Sequence, residues 1–394
     1  MKTRKRLQFN LKACFRNASG SIAWGMLCLG LCVAGSGVSA TAREPFIITT
    51  FDPPGSVYTY PVSINPTGAI TGNYCDTTTC HGFLRAPNGE FTTFDVPNAD
   101  QGTYPESISP AGAITGQYCN ATACGSFLRD PHGTITVIDV PGAIYTKANC
   151  IDPEGAITGF WQDGSFVDHA FLRSPNGTLS TLDIPGAVTG PYLGTHAVGI
   201  NAAGWIAGWY TVNTVGAGRG YLRAPGGKIT TFAAPDGGTG VNLATGQGQG
   251  TYELGFIGNG SSVINLAAAI TGYYFDPSNA LHGFLRTPQG AIAEFDVGPA
   301  GVDPSTGNPY GTAPSTINLE GAIVGYYLDA NFVNHGFLRA PQGRITELDV
   351  PSAGAVPGQY QGTVACSNNL AGVITGFWID ASNVVHGFLA IPIP

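Results

Sequence analysis

From Tyr58 to Val96 alternation of apolar and polar residues, punctuated by turn residues, divides the chain into four short strands. They are expected at Tyr58 to Asn65, Ala69 to Tyr74, Gly82 to Ala86 and Phe91 to Val96. Pro66-Thr67-Gly68 joins the first two. Asn88-Gly89, a dipeptide suited to the positive φ angles of a type I′ turn, joins the last two. The pattern predicts a four-stranded antiparallel meander.

The same words return along the chain. A Gly-Ala-Ile-Thr-Gly-x-aromatic phrase ends at Tyr74, Tyr118, Trp161, Tyr210, Tyr274, Tyr327 and Trp378, a mean period of about 50 residues, which is the range of propeller blades. The seventh copy stops at HGFLAIPIP without the ITTFDVP strand of the others, whereas residues 46–54 read FIITTFDPP with no repeat before them. Pairing Ile47 to Asp52 beside the strand around Phe388 would complete the last meander and leave it no open edge. The expected fold is therefore all-β: a seven-bladed β-propeller of four-stranded antiparallel blades over residues 43–394, closed by its N-terminal strand.

Several residue columns follow this period. His81, His169, His282, His335 and His386 recur at one place and are expected to bond within their own blades, much as in WD-repeat propellers. Asp52, Asp95, Asp139, Asp183, Asp296 and Asp349 recur before a Val-Pro or similar turn, where capping or blade bonding is expected. The aromatics that end each GAITG phrase are expected between blades, facing glycines such as Gly72 or Gly116. Ser63, Ser107, Cys150, Gly199, Val263, Thr316 and Ser367 form a column of small residues suited to crowding around an axis.

Composition narrows the partners. Six basic residues (Lys2, Arg4, Lys5, Arg6, Lys12, Arg16) precede an apolar run from Ile22 to Ala34 and then Val38-Ser39-Ala40, which reads as an export signal over residues 1–42, cleaved after Ala40 or Ala42. Its loss leaves 11 basic against 25 acidic residues, about −14 in net charge, which argues against a nucleic-acid partner. No later apolar run is long enough to span a membrane. The expected destination is the periplasm, the cell surface or the medium, and a monomer is expected.

Nine cysteines divide by position. Cys75 with Cys80 and Cys119 with Cys124 bracket the same loop in successive repeats, and in an exported chain they are expected to form two local disulfides. Cys150 and Cys366 lie far apart and are expected to remain thiols. Neither C-x4-C pair has a convincing second pair of ligands, so no metal is expected.

The phrases INxxGxIxG and HAFLR, best seen as GAITGFWQDGSFVDHAFLRSPNG at 155–177, resemble the extracellular HAF-family repeat of bacterial secreted proteins. The resemblance spans roughly residues 46–394. His169-Ala170-Phe171 matches the namesake triplet, four repeats carry His-Gly-Phe, and two depart further, at Gly125-Ser126-Phe127 and Arg219-Gly220-Tyr221. It implies an exported β-rich repeat protein and carries over no catalytic motif.

No nucleophile elbow, metalloprotease helix, phosphate loop or dinucleotide fingerprint is present, and no cofactor is implied. Function is expected on the face of the second-to-third and fourth-to-first connections, which vary while the turns on the opposite face stay near-constant. Its long insertions lie at 236–262 and 298–313. A tyrosine stands in every fourth-to-first connection: Tyr60, Tyr104, Tyr145, Tyr192, Tyr252, Tyr310 and Tyr360. Their spacing to the next strand varies, unlike a core column, so they are the candidate binding residues for a glycan or protein. The expected function is a non-catalytic binding or scaffold propeller. The alternative is a polysaccharide hydrolase or lyase with its site at the axial opening of the same face.

Overall fold

The computed structural model describes residues 46–246, 248–252 and 263–393. The predicted export signal therefore lies outside the described residues, as do position 247 and positions 253–262 of the first insertion. Within them every regular element is a strand, and no helix is long and apolar enough to cross a membrane.

The strands form consecutive antiparallel meanders. Tyr58–Ile64, Ile70–Cys75, Cys80–Arg85 and Phe91–Phe94 pair in chain order. The order repeats in groups that open with Gly102–Ile108, Tyr145–Ile151, Thr195–Ile200, Gly250–Tyr252, Pro309–Ile317 and Gly362–Asn368. In the last group the outer place beside Val385–Pro392 is taken by Phe46–Phe51, antiparallel, from Phe46 opposite Pro392 to Phe51 opposite Gly387. The N-terminal strand thus supplies the ladder that the truncated last repeat lacks.

Six of the seven first strands, all but the short Gly250–Tyr252, carry a bulge, at Pro61/Ser63, Pro105/Ser107, Ala148/Cys150, Ala197/Gly199, Pro314/Thr316 and Ala365/Ser367. Opposite each bulge stands the glycine of GAITG. A Cβ on Gly72 would run into the Tyr60 carbonyl, and one on Gly159, Gly208 or Gly376 into the carbonyls of Lys147, His196 or Val364. This corrects the expected packing of glycine against a ring of the adjoining blade, because the group's own first strand fills that space. The aromatic rings do sit between groups: Tyr74 packs with Ile64, Ile70 and Phe83 against Val373 and Leu389 of the last group.

Successive groups are tied by side chains of the repeat. Arg85, Arg129, Arg286 and Arg339 lie 4.9–5.0 Å over Phe51, Phe94, Phe232 and Phe295 of the preceding group, within cation–π range. Small residues of the first strands accept amides of the next: Ile108 N–H donates to Ser63 Oγ and Ile151 N–H to Ser107 Oγ. Ile64 N–H donates to Ser367 Oγ, so the same contact links the last group to the first.

At the constant-turn end, asparagine side chains pass hydrogen bonds from group to group, Asn65 to the Ser109 carbonyl, Asn201 to that of Asn265, Asn318 to that of Asn369, and Asn369 to that of Asn65. Both predicted disulfides, Cys75–Cys80 and Cys119–Cys124, are formed. The buried Cys150 and Cys366 stay outside them, their thiols donating to the carbonyls of Ile200 and Val364.

Candidate binding face

Each first strand starts at the face of the variable connections and runs toward the asparagine turns. Its entry is a Gly-Thr pair in most groups. Gly102, Gly194, Gly250, Gly311 and Gly362 take φ from +113° to +149°. Gly250, Gly311 and Gly362 bridge in parallel to Gly218, Leu281 and Asn334 on the third strand of the preceding group, leaving no room for a side chain. The threonine that follows is buried and accepts the amide just past the preceding group's fourth strand: Val96 to Thr103, Ile184 to Thr195, Ala234 to Thr251, Val297 to Thr312 and Val350 to Thr363.

This entry decides where each candidate tyrosine goes. Tyr60, Tyr104 and Tyr252 follow the threonine and so point into the first-strand packing. Tyr60 and Tyr252 are buried, the former edge-on to Phe377 at 5.4 Å and the latter beside Trp209 at 5.0 Å and Tyr273 at 5.6 Å. Tyr104 is half-buried and its hydroxyl donates to the Gln101 carbonyl. Tyr145, just before Thr146, is half-buried at 5.7 Å from Phe160.

Tyr192, Tyr310 and Tyr360 precede the glycine; Tyr192 and Tyr360 lie in the connections themselves, and Tyr310 stands at the start of Pro309–Ile317, paired with Gly301. Tyr192 is 45% exposed and Tyr360 37%. Both adopt left-handed backbone, at φ +64° and +54°. Each leans on a phenylalanine that does the same: Phe166 (φ +63°) lies 5.6 Å from Tyr192, and Phe332 (φ +60°) lies 5.3 Å from Tyr360. Tyr310 is half-buried and meets Phe332 edge-on at 6.2 Å. Such backbone costs about 1–3 kcal/mol per non-glycine residue; at Phe166 and Phe332 it belongs to a loop turn in which Asn279 and Asn383 hold the same place, each amide donating to the carbonyl of the aspartate three residues before. Phe166 and Phe332 were missed from sequence, although both stand three residues after an aspartate in the second-to-third loop, at Asp163 and Asp329.

The repeated histidines occupy this face as well. Each Nδ1 meets the aspartate that ends the fourth strand: His81 with Asp95 at 2.9 Å, His169 with Asp183 at 2.7 Å, His282 with Asp296 at 2.9 Å, His335 with Asp349 at 2.7 Å and His386 with Asp52 at 2.7 Å. Nε2 faces the loop aspartate at 3.4–3.9 Å, and the ring lies 4.5–5.2 Å from the aromatic that ends the second strand. These are brackets within one group, the last of them joining the two ends of the chain. Among the described residues no three His, Cys, Asp or Glu side chains converge as a metal site.

The brackets make stability depend on pH. Hydrogen bonds donated to Asp296 and Asp349 raise the pKa values of His282 and His335 above the ordinary 6.5, against burial that opposes the charge. A raised folded-state pKa means that the imidazolium stabilises the fold in full below about 6.5 and that this contribution fades as pH climbs through the folded value. Ring-proton NMR titration should find both midpoints above 6.5. Asp296→Asn should lower that of His282 alone, and an unmoved midpoint would refute the bracket.

No protein-family model matches the chain, and no curated protein matches it. Solved structures do. A streptogramin B lyase is 13% identical with a TM-score of 0.51, over 87% of this chain and 97% of that one. A catalytically inactive virginiamycin B lyase from Staphylococcus aureus with quinupristin is 14% identical with a TM-score of 0.53, over 88% and 100%. The β-propeller domain of the Trilobed protease from Pyrococcus furiosus, described as having an open velcro topology, is 10% identical with a TM-score of 0.54, over 85% and 94%. At such identities the likeness speaks for the fold alone: an all-β chain with propellers as its structural neighbours.

Proposed function

We propose that residues 43–394 form a closed seven-bladed propeller of the exported HAF-repeat kind, which binds an external glycan or protein through the face of the variable connections and performs no catalysis there. Closure draws support from Phe46–Phe51 lying beside Val385–Pro392 and from the bonds between the last group and the first. Two disulfides suit an oxidising compartment, and a leader of basic then apolar residues suits export.

The observation that carries the binding reading is the pair of aromatic clusters, Tyr192 on Phe166 and Tyr360 with Tyr310 on Phe332, in which Tyr192 and Tyr360 stay exposed. A tyrosine ring gives an apolar face to a sugar or a protein side chain while its hydroxyl stays wetted, and fixing it costs little rotamer entropy. The core gains little from half-exposed rings. Tyr60 and Tyr252 serve the interior instead, and of the five that remain Tyr192, Tyr310 and Tyr360 are the ones gathered on Phe166 and Phe332 and are taken as the contacts of these two clusters.

The mature protein on a glycan array, with a parallel screen of cell-surface proteins, tests the reading. Replacing these three tyrosines by alanine should weaken binding at least about tenfold, as expected when more than one anchor worth over 1 kcal/mol is lost, with the melting temperature little changed. A triple variant that binds as the parent does would refute it.

A further inference from the structure

Where a chain repeats itself, a local break in the repeat is informative. At one register of the first strands, opposite Asn73, Gln117, Phe160, Trp209, Tyr273, Tyr326 and Phe377, stand Tyr60, Tyr104, Lys147, His196, Tyr252, Ala313 and Val364. Basic side chains, Lys147 and His196, enter this column in two adjacent groups only. Two further breaks accompany them. Glu106 occupies a bulge position filled elsewhere by Val62, Asn149, Val198, Ser315 and Cys366, and Asp168 sits opposite Gln162 at the place of the disulfides.

These residues find one another. Lys147 Nζ lies 3.0 Å from Glu106 Oε1, with the lysine side chain 16% exposed and the glutamate 8%. His196 Nε2 lies 3.1 Å from Asp168 Oδ2, and Gln162 Nε2 donates to Asp168 Oδ1 at 2.8 Å. The His196 ring is stacked 4.0 Å from Trp209, with Phe160 at 4.2 Å on the other approach, and Tyr145 borders Phe160. Burial works against the Lys147 charge, and Glu106 outweighs it and raises the amine's pKa. Burial raises that of the Tyr145 phenol, Glu106 and Asp168 add to it, and Lys147 and a hydrogen bond from Gln117 work against it. Phe160, opposite Lys147 in the ladder and 4.2 Å from the His196 ring, joins the two pairs.

A shielded ion pair is poor value as a stabiliser, since apolar residues of like volume do as well or better. Its retention with a second carboxylate–imidazole pair, beside half-buried rings and at the entry ends of three adjoining first strands, needs another reason. The geometry points to a subsite for a neutral saccharide ring in this cluster, with Glu106, Lys147, Asp168 and Tyr145 meeting hydroxyl groups and Phe160 and Trp209 offering ring faces. Vicinal hydroxyls need donors and acceptors side by side, which carboxylate, ammonium, amide and phenol supply together. Each basic side chain is already matched by a carboxylate, so an anionic ligand would find no unbalanced positive charge here. The inference rests on the binding reading and names one ligand class at one place on that face. Tyr310 and Tyr360 belong to other groups, so their variants separate its failure from that of the broader reading.

The test titrates the mature protein with neutral gluco-, manno- and xylo-configured hexasaccharides, read by calorimetry and by tryptophan fluorescence, which the stack on Trp209 makes sensitive to this spot. One configuration should bind. The double variant Glu106→Met with Lys147→Met, and His196→Phe alone, should each weaken it at least about tenfold, or about 1.4 kcal/mol, while the double variant melts no lower than the parent. A purely structural pair would instead leave affinity alone, whatever the melting temperature does. Should the double variant fail to fold, Tyr145→Phe, which removes one hydroxyl, decides the matter by a loss of several-fold. Failure of all three hexasaccharides to bind at millimolar concentration, or variants that bind as the parent does, would overturn the proposal.

Discussion

Removing Phe46–Phe51 together with Asp52 from the mature protein is expected to lower its melting temperature by many degrees and to promote self-association. The strand pairs along its whole length with Val385–Pro392, so its loss strips one ladder and exposes an edge. Phe51 also meets Phe83 and Phe91 of the first group and lies under Arg85, and Asp52 accepts from Thr59 at 2.6 Å and faces His386. The strand therefore bonds to both ends of the chain at once. Burying the Phe46 and Phe51 rings alone is worth about 3–6 kcal/mol, before any hydrogen bond is counted. Calorimetry and size-exclusion chromatography of the truncated protein would check this, and unchanged melting with a monomeric profile would refute closure by this strand.

A single methyl group should do comparable damage at the bulges. Gly376→Ala sets a Cβ against the Val364 carbonyl and the Ala365 backbone, neither of which can move without displacing the bulge and the cores on either side. Gly376 has ordinary backbone, so the penalty comes from space rather than from conformation. The expected cost is about 3 kcal/mol or more, the upper end for overpacking, because backbone rather than a side-chain tip must yield. Gly164→Ala is the control, since nothing approaches its Cβ position and its φ is not positive. Denaturant unfolding of the two variants should separate them clearly, and equal midpoints would show that the bulge relaxes cheaply.

The meanders, the disulfides and the pairing of the two chain ends were legible because each is written in local composition or in recurrence at a fixed period; the type I′ turn expected at Asn88-Gly89 was not, since Gly89 takes positive φ and Asn88 does not, and the Gly89 amide donates to the Ala86 carbonyl, which puts Pro87 and Asn88 at the centre of the turn. The bracket of each histidine was legible for the same reason. What escaped depends on register across strands. The glycine of GAITG looks like a partner for a neighbour's ring until the bulge places the Tyr60 carbonyl over Gly72.

The tyrosine column likewise mixed two environments, because the fixed point is the Gly-Thr entry, whose glycine must approach the preceding group's third strand. Counted from that pair, Tyr252 falls inside the sheet and Tyr360 outside it. Left-handed backbone at Tyr192 has no sequence mark, since tyrosine does not favour it, whereas at Phe166 the mark lies in the repeat, where Asn279 and Asn383 hold the same place after the loop aspartate. The cluster of Glu106, Lys147, Asp168 and His196 is scattered over 91 positions of sequence, and only the cross-strand partners show that its members break one pattern.

The central claim is that this scaffold presents its ligand to the variable connections and not to the asparagine turns. Hydrogen–deuterium exchange of the mature protein, with and without a saturating amount of the tightest ligand from the array, reads this directly. Protection should appear in the connections that hold Tyr192, Tyr310 and Tyr360 and in the loops of Phe166 and Phe332, with the turns after Asn65, Asn318 and Asn369 unchanged. Protection at those turns, with the tyrosine connections unaffected, would contradict the account.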